Sequence, residues 1–579
     1  GFEQSVGMYF YGVSYGRAQL SRSPFMDLQR VEVLRGPQNI LLGKPSIAGS
    51  LGLYSNRPDE EFEAMLSLSV EPEYDEYVYD GVISGKVSDN FGVRVAARVK
   101  TSDGYMENLT LDRNEPQRRE ETIRAVFDWA VSDNVTAWFK AEQSTFNVTG
   151  RQIEIINDNP AIGQSAASGF NGNTYGQILE NSAPAGQQVS SDPSVLNNTQ
   201  DYKRSSNGDF SKNDVGAYIA NVEYNVNEHI FTSVTAFLTY EFDEVCDCDF
   251  TGSELFTLEA FEKYDQLSQE FRWISAPGDS FDFIGGFYFQ TNEIEFTDQL
   301  AVPNGFTNLP NLVNASELAA IAAGQLTGLD NDGIPGNAGS TYVANLGAPR
   351  EFTTDADLYS AFLQGTWTIN DTMRLTLGGR YSYEKKSGSR KIDFVDYDTG
   401  VSRDEPAPGL GGGTDAVAGL VFLAERHDLS GSRSESTFSP SINFQWDVGD
   451  SMVYATLTRG FKSGGYDARS NASPDPDDNI GGVDVPPGSF EFDREQADSL
   501  EIGSKNSFFD GRWELNIAAF YTRYKDLQVS IFDGTLGFNV GNAGAATTMG
   551  IELDGRVAIT DNLTMTYAAA LLDFEFTDF

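Results

Sequence analysis

Apolar and polar residues alternate along most of the chain from Phe62 onward. In Thr372–Glu384, five apolar or aromatic residues fall on one face, and six polar residues fall on the other. The segments Val93–Lys100, Thr122–Val131 and Trp513–Thr522 repeat this alternation. A period of two is typical of β-strands with one polar face, and the pattern predicts about seventeen strands.

Five arginines occupy the polar faces of these predicted strands. An arginine on a lipid-facing position at the membrane midplane costs about 2 to 4 kcal/mol, so several together indicate a polar lumen. The resulting basic stripe has two interpretations. It either lines the path of an anionic substrate or pairs with carboxylates inside the lumen. Its members are Arg94, Arg98, Arg124, Arg374 and Arg380.

Very short polar links alternate with much longer connections. Short turns on one side and long loops on the other are typical of outer-membrane barrels, with the short turns on the periplasmic side. The short links are predicted at Ser88–Asn90, Ser132–Asn134, Asn225–Glu228, Pro277–Asp279, Asn370–Asp371, Val448–Asp450, Asp510–Gly511 and Asp561–Asn562. The long connections are predicted at about Asn147–Lys212, Glu295–Asp355, Lys385–Ser434 and Gly464–Arg494.

Composition agrees with an all-β membrane protein. The 579 residues include 40 Lys plus Arg and 85 Asp plus Glu, and the net charge of −45 argues against nucleic acid as a partner. Aromatic residues make up 12% and there are 57 glycines, a balance that suits strands and turns. The fold class that we predict is a large antiparallel transmembrane β-barrel.

The most specific motif is Val31–Gln38, VEVLRGPQ. Gly36 tolerates a positive φ and Pro37 fixes φ near −65°, so both suit a tight turn after a strand. With MYFYGVSYGRAQL before it and NILLGKPSIAGSLGLYSNRP after it, the motif resembles the plug of TonB-dependent outer-membrane receptors. Tyr11 stands where that family usually has Asp.

The resemblance implies a domain organisation. Residues 1–58 would be the C-terminal part of a plug inside the lumen, and residues 59–579 would be the barrel. Family members close with 22 strands. The apolar parity expected of a final strand fails at Thr577, Glu575 and Asp573. We therefore expect closing strands to be missing, together with a signal peptide, the first part of the plug and the segment that contacts TonB.

A second landmark is DSLEIGSKN at Asp498–Asn506, which resembles the E-x-G-x-K strand of these receptors. In the family, acidic wall residues pair with plug arginines. The resemblance therefore implies plug–barrel contacts by Glu32, Arg35, Gly36, Pro37, Glu501 and Lys505. Arg35 is expected to pair with Glu501 and Glu32 with Lys505, and the alternative is that each pairs with a neighbouring strand.

The function that the resemblance implies is TonB-dependent import across the bacterial outer membrane. A ferric siderophore is the expected small-molecule substrate, and cobalamin or an oligosaccharide is the alternative within the family. The expected partners are TonB and outer-membrane lipid, and no cofactor is expected apart from a transported ferric chelate. Rival hypotheses are a passive porin and a secreted all-β glycan hydrolase, although no catalytic set stands out.

Three smaller features complete the picture. Cys246 and Cys248 are the only cysteines, and a disulfide is favoured over a metal site although an extended C-x-C approaches the limit of disulfide geometry. Asp330 and Asp332 resemble the start of a calcium loop without its distal Glu, so a solvated turn is favoured. His229 and His427 are predicted at opposite ends of the barrel, which disfavours haem.

Overall fold

The computed structural model describes residues 3–22, 25–43, 46–160, 172–182, 195–306, 309, 343–403, 422, 424–474, 488–532 and 538–578. Within these ranges the chain is almost entirely β-structure. No helix there has the length and apolar character needed to cross a membrane. The helical elements are α1 (Tyr175–Ser182) and a 3-10 helix at Ala18–Arg22.

The N-terminal segment forms its own small sheet. Its four strands are β1 (Val6–Phe10), β2 (Val13–Ser14), β3 (Leu28–Arg35) and β4 (Gly49–Ser55). They lie in the order β2-β1-β4-β3, with β1 parallel to β4 and the other pairs antiparallel. This sheet contains the VEVLRGPQ motif, whose first half lies in β3 and whose Gly36 has φ of +68°.

Tyr11 and Gly12 form the turn between β1 and β2. Both have positive φ, 52° and 82°, in a two-residue connection where Asp, Asn and Gly are usual. Tyr11 is held there by packing, because its ring centroid lies 4.7 Å from that of Trp138. Its hydroxyl also donates to the carbonyl of Ser55 at 2.5 Å. These contacts explain how tyrosine replaces the aspartate that the family usually has.

Most of the remaining described residues form one large antiparallel sheet of seventeen long strands and one two-residue strand. The long strands are β5 (Glu63–Glu71), β6 (Glu76–Ser88), β7 (Phe91–Ser102), β10 (Gln117–Ser132), β11 (Val135–Thr149), β13 (Phe210–Val226), β14 (His229–Cys246), β15 (Thr257–Ile274), β16 (Phe281–Val302), β17 (Leu346–Asn370), β18 (Met373–Ile392), β20 (His427–Val448), β21 (Ser451–Lys462), β24 (Glu495–Phe508), β25 (Trp513–Phe532), β26 (Phe538–Thr560) and β27 (Leu563–Asp578). The two-residue strand is β19 (Val395–Asp396). The predicted fold class and strand number are confirmed.

The remaining short strands lie among the outer loops. They are β8 (Met106–Asn108), β9 (Arg113–Glu115), β12 (Lys203–Arg204), β22 (Gly465–Tyr466) and β23 (Glu491–Phe492). They form a three-stranded sheet in the order β12-β8-β9 and a two-stranded sheet of β22 with β23.

The long strands of the large sheet follow one another in chain order from β5 to β27, and they form the wall of a barrel. A residue-by-residue ladder joins each long strand to the next along the chain. Among the described residues, no such ladder joins β27 to β5. Both of these strands are exposed on both faces, as Leu571 and Leu572 of β27 show at 77% and 65%. They are therefore less buried than the rest of the wall.

All eight predicted short turns fall between paired strands, so this part of the topology is confirmed. Two of the predicted long connections are shorter in the structure, because the strands beside them extend further. Strand β16 continues to Val302 and β17 begins at Leu346, whereas the prediction placed Glu295–Asp355 in a loop. Strand β18 likewise extends to Ile392 and β20 begins at His427, whereas the prediction placed Lys385–Ser434 in a loop. Ladder hydrogen bonds continue above the membrane, where charged residues on both faces hide the alternation.

Burial confirms the predicted faces. Ile123 and Trp129 on the apolar face of β10 are about half exposed, at 54% and 50%, whereas Arg124 on the opposite face is 1% exposed. The outward face is what lipid would cover. The inward face packs on the N-terminal sheet through a cluster that includes Phe10, Tyr15, Val215 and Leu238.

Placing a charge on the outward face should therefore destabilise the barrel. We expect Phe127→Arg to reduce the free energy of unfolding by about 2 to 4 kcal/mol, because Phe127 shares the outward face with Ile123 and is the sixth residue of β10 counted back from the periplasmic turn, so the guanidinium would enter the apolar band. Thr136→Arg is the matched control, since Thr136 lies on the inward, water-exposed face of β11. Urea unfolding in lipid vesicles measures both variants. An equal loss of unfolding free energy in the two variants would contradict the assignment of outward and inward faces.

Candidate functional site

Three arginines of the inward face bind the segment Phe25–Asp27 of the N-terminal region through hydrogen bonds. Arg94 forms a bidentate ion pair with Asp27 at 2.7 and 2.8 Å, and both side chains are 6% exposed. Arg98 donates to the carbonyl of Phe25 at 3.1 Å, and Arg124 donates to that of Met26 at 2.5 Å. We call Arg94, Arg98 and Arg124 the arginine clamp.

The clamp continues into a buried charge cluster on β10 and β11. Arg124 pairs with Glu142, and the Lys140 ammonium lies 3.5 Å from the same carboxylate. The Lys140 ammonium also lies 3.5 Å from the centre of the Phe10 ring and 3.3 Å from the Tyr15 hydroxyl. One carboxylate therefore serves two buried cations that both contact the N-terminal sheet. Removing that carboxylate would take a shared partner from two buried cations at once, which is costly.

A second set of contacts holds the turn that follows VEVLRGPQ. Asn39 donates to the carbonyl of Phe461 at 3.0 Å, and a Cβ added at Gly460 would lie 3.0 Å from Pro37. The absence of a side chain at Gly460 lets the turn approach β21 closely. Arg380 on β18 donates to the carbonyl of Ile40 at 3.3 Å. The N-terminal sheet is thus anchored on several sides of the lumen.

The outer end of the N-terminal segment is anchored to β14 and β15. Arg17 pairs with Glu262 at 2.5 Å and donates to the Tyr240 hydroxyl at 3.3 Å. Gln266 donates to the carbonyl of Ser14 at 3.0 Å. These contacts place Arg17 and the following 3-10 helix directly beneath the outer loops.

Two adjoining cavities lie above this point and share Phe296, Arg469 and Phe538. We call them together the outer vestibule. The outer cavity is about 400 Å³ and has mainly apolar walls, which include Phe250, Leu258, Leu300, Ile392 and Phe422. The inner cavity is about 310 Å³ and reaches the N-terminal segment at Gln4, Arg17 and Gln19.

Three arginines line the vestibule, and Arg17 is paired with Glu262, whereas Arg350 and Arg469 differ from each other in their partners. Arg350 is neutralised by Asp298, with one hydrogen bond of 2.9 Å, and also donates to Asn471 at 3.0 Å. Arg469 is exposed, and its guanidinium lies 5.9 Å from the centre of the Phe296 ring. In the described part of the chain, no carboxylate pairs with Arg469. It is the vestibule cation best placed to meet an anionic group.

The loop after β14 contains a disulfide and two buried aspartates, and it reaches the outer cavity at Cys248 and Phe250. Cys246 and Cys248 are joined with their Cα atoms 5.2 Å apart, well within the ordinary range. The expected difficulty does not arise, because β14 ends at Cys246 and Cys248 lies in a turn. Burial raises the pKa of Asp247 and of Asp249, and the charge of Asp249 adds to the shift at Asp247. Protonation therefore favours this loop structure, and the benefit is lost as pH rises.

Residues 155–578 match the family described as TonB dependent receptor-like, beta-barrel. This region comprises 424 of the 579 residues. The chain belongs to this family. Its location is accordingly the bacterial outer membrane.

Individual relatives of this family member are distant in sequence. The pesticin receptor of Yersinia enterocolitica is 24% identical over 229 residues, which are 39% of this chain and 27% of that protein. The chain therefore matches about a quarter of that relative's length. The ferric yersiniabactin uptake receptor FyuA of Yersinia pestis is 17% identical, with a TM-score of 0.69. The structural match covers 100% of this chain and 71% of the FyuA chain. The siderophore receptor PiuA of Acinetobacter baumannii shares 12% identity with a TM-score of 0.61, covering 99% and 72%.

The predicted pairings of the receptor motif are wrong in detail. Arg35 pairs with Glu552 on β26, not with Glu501, whose carboxylate accepts from the Tyr454 hydroxyl at 2.7 Å. Glu32 pairs with Arg30 in its own strand at 2.6 Å. Lys505 lies opposite Met452 and Asn516 in the wall ladders. Partner choice depends on how the N-terminal sheet is rotated in the lumen, which a motif does not specify.

The basic stripe is not an open path in this receptor. Arg94, Arg98, Arg124 and Arg380 all contact the N-terminal segment, as described above. Arg374 instead pairs with Asp447 on β20 at 2.8 Å. The interpretation in which these arginines pair within the lumen therefore describes the structure better than the substrate-path interpretation.

Several contributors to the site were missed from the sequence. Lys140 and Glu142 lie two residues apart on the polar face of a predicted strand, so their inward direction was available as a signal. Arg469 ends the segment Thr458–Arg469, TRGFKSGGYDAR, whose pattern gives no signal of a binding role. Phe296 was placed in a loop but belongs to β16.

The other sequence candidates do not add to the site. Asp330 and Asp332 lie outside the described residues. His427 accepts a hydrogen bond from Arg390 at 2.9 Å, and burial lowers its pKa to about 3, so it is neutral. His229 accepts from the Trp273 indole at 3.2 Å at the periplasmic end.

The charge cluster around Glu142 makes a direct prediction. Glu142→Gln should weaken retention of the N-terminal sheet by about 3 to 5 kcal/mol, because the buried cations Arg124 and Lys140 would lose the carboxylate that they share. Small-solute leakage into proteoliposomes, together with protease cleavage of the N-terminal segment, measures this loosening.

Arg35→Ala is the comparison variant for this experiment. The Arg35 side chain is 61% exposed, so losing its pair with Glu552 should cost less than about 1 kcal/mol and change leakage little. If Arg35→Ala leaked more than Glu142→Gln, the main attachment would lie at the motif and not at the clamp.

Proposed function

We propose that this receptor imports an anionic ferric chelate of the siderophore class across the outer membrane, with energy supplied through TonB. The observation that carries the proposal is the exposed Arg469 guanidinium beside an aromatic vestibule that reaches the N-terminal segment. The ligand-binding side chains and the lumen plug are thereby in contact. Residues 1–58 act as the end of that plug, and residues 59–579 act as the barrel.

The vestibule suits a ligand that combines negative charge with flat apolar groups. Arg469 offers a charged donor, and Phe250, Phe296, Phe422 and Phe538 offer ring surface. The size of the two cavities, about 400 and 310 Å³, falls within the range of small-molecule sites. A ferric chelate built from phenolate or carboxylate groups has these properties. The names of FyuA and PiuA support the same substrate class.

Inward passage requires the arginine clamp to open. The outer membrane has no ATP supply, so binding in the vestibule cannot by itself release Asp27 from Arg94. We infer that TonB supplies the work by acting on the N-terminal region, as in the family. The ligand enters above Arg17, and the clamp below stays closed until that work is delivered.

The contacts within the lumen favour this proposal over a passive porin. A porin needs an aqueous channel, whereas buried ion pairs here connect the wall to the N-terminal segment from several sides. A secreted hydrolase is disfavoured because its strands would have no reason to expose an apolar outward face. The relatives named above are receptors and not enzymes, which supports a non-enzymatic role.

The Arg469 side chain is the sharpest test of the proposed binding site. We expect Arg469→Gln to weaken ferric-chelate binding by roughly tenfold or more, because a charge-assisted contact is lost without a change in the barrel. Arg119→Gln is the matched control, since Arg119 lies on the outward face beside Glu121. Fluorescence quenching on a panel of ferric chelates, including ferric yersiniabactin, measures the affinity.

Uptake of radiolabelled iron into cells that lack other receptors tests transport itself. Uptake should disappear when the inner membrane is de-energised or TonB is removed. Continued uptake under those conditions would instead support passive flow. Equal affinities of the Arg469 and Arg119 variants would remove Arg469 from the binding site.

A further inference from the structure

The outward face of the barrel carries a groove between β20, β21, β24 and β25. Its volume is about 490 Å³, and its floor is largely apolar, with Ile442, Leu457, Leu500 and Tyr521 among the lining residues. Arg459, Asp498 and Arg523 form its upper border. We call it the rim groove.

The groove opens because β20 and β21 separate at Pro440. The ladder between these strands ends at the pair Ser441 and Thr458, although β20 continues upward beside β18. Proline has no N–H to donate to a ladder, which explains why the separation begins here. Arg494 enters the gap and donates to the freed carbonyl of Ser436 at 3.2 Å. The gap is therefore a built feature of the wall.

The upper border of the groove lies at the outer edge of the membrane. A transmembrane strand needs about 9 to 11 residues. Arg459 is the ninth residue of β21 and Arg523 the eleventh of β25, both counted from the periplasmic turns. Asp498 is the eleventh residue of β24 counted back from its periplasmic end. The charged row is thus level with lipid headgroups, and the apolar floor is level with acyl chains.

Positive charge dominates this border. The ladders place Arg459, Asp498 and Arg523 side by side on three neighbouring strands. Arg459 pairs with Asp498 at 2.5 Å, and the Lys525 ammonium lies 3.4 Å from the same carboxylate. One carboxylate therefore faces three cations, in a chain whose net charge is −45.

A second sector of the rim, on β13 to β17, has the reverse charge. Exposed aromatic residues mark the outward positions of four strands, namely Tyr218 on β13, Phe237 on β14, Phe287 on β16 and Tyr359 on β17. Every second residue from each of them also faces outward, and at the upper ends of these strands such positions carry carboxylates. These are Asp214, Glu241, Asp243, Glu293 and Asp355. The rim groove thus differs from this sector by both its charge and its shape.

We propose that the rim groove binds a phosphorylated glycolipid of the outer leaflet. Its phosphate contacts Arg459, Arg523 and Lys525, and its acyl chains lie against Ile442, Leu457 and Leu500. Guanidinium groups bind phosphate through paired charge-assisted hydrogen bonds, which fits two arginines placed on either side of one carboxylate. The bound lipid also covers the gap that Pro440 opens in the wall. This site is separate from the outer vestibule and does not depend on the imported ligand.

The test is glycolipid binding by the detergent-extracted receptor carrying Arg459→Gln and Arg523→Gln together. Native mass spectrometry gives the glycolipid retained, and titration with diphosphorylated lipid A gives the affinity. We expect the double variant to bind roughly tenfold or more weakly, because two charge-assisted contacts are lost. Dephosphorylated lipid A should bind the unaltered receptor as weakly as lipid A binds the variant.

The matched control is the double variant Lys212→Gln and Lys263→Gln. These lysines face outward on β13 and β15 and lie 2.6 and 3.5 Å from Asp214 and Asp265, so the same charge is removed from the acidic sector. It should bind lipid A normally. Heat-dependent gel migration verifies that each barrel is folded.

Three results would overturn the proposal. Equal lipid A binding by the two double variants would show that the groove is not the site. Equal binding of phosphorylated and dephosphorylated lipid A would show that phosphate is not recognised. Displacement of lipid A by inorganic phosphate at similar concentration would show a free-anion site and not a lipid site.

Discussion

Backbone hydrogen bonding in lipid is the constraint on which this structure depends. No water is available in the bilayer core, so backbone N–H and C=O groups there must pair with one another, and one large antiparallel sheet supplies these pairs from strand to strand along the chain. A barrel of this size cannot be filled by its own side chains. The lumen therefore needs a separate occupant, and the N-terminal sheet takes that place.

Ion pairs attach the N-terminal sheet to the lumen wall, whereas aromatic side chains line much of the vestibule. Buried arginines and Lys140 hold the N-terminal sheet through pairs that are costly to break singly. The vestibule above contains mainly aromatic surface and the exposed Arg469. Its lining includes Arg17 and Gln19, so the proposed ligand site reaches the N-terminal segment that TonB would move under the proposed function. The vestibule and the arginine clamp are therefore adjacent without sharing the same charges.

Local patterns predicted the wall well and the contacts inside it poorly. Alternation fixed which face of β10 meets lipid, and the short polar links located all eight periplasmic turns. The partners of Arg35 and Glu32 could not be predicted, because they depend on how two independently folded sheets are oriented. The vestibule was also beyond prediction, since Phe296 and Arg469 are far apart in the chain and meet only where β16 and the β22 loop converge.

The central claim is that the N-terminal segment lies in the lumen against β21. Cross-linking of Asn39→Cys with Gly460→Cys tests it directly, because a Cβ at position 460 would lie 3.1 Å from Asn39 Cγ. Non-reducing peptide mass spectrometry on isolated outer membranes should find this disulfide in most molecules. The pair Asn39→Cys with Gly511→Cys, at a periplasmic turn, should stay unlinked. Equal linking of both pairs, or of neither, would contradict the account.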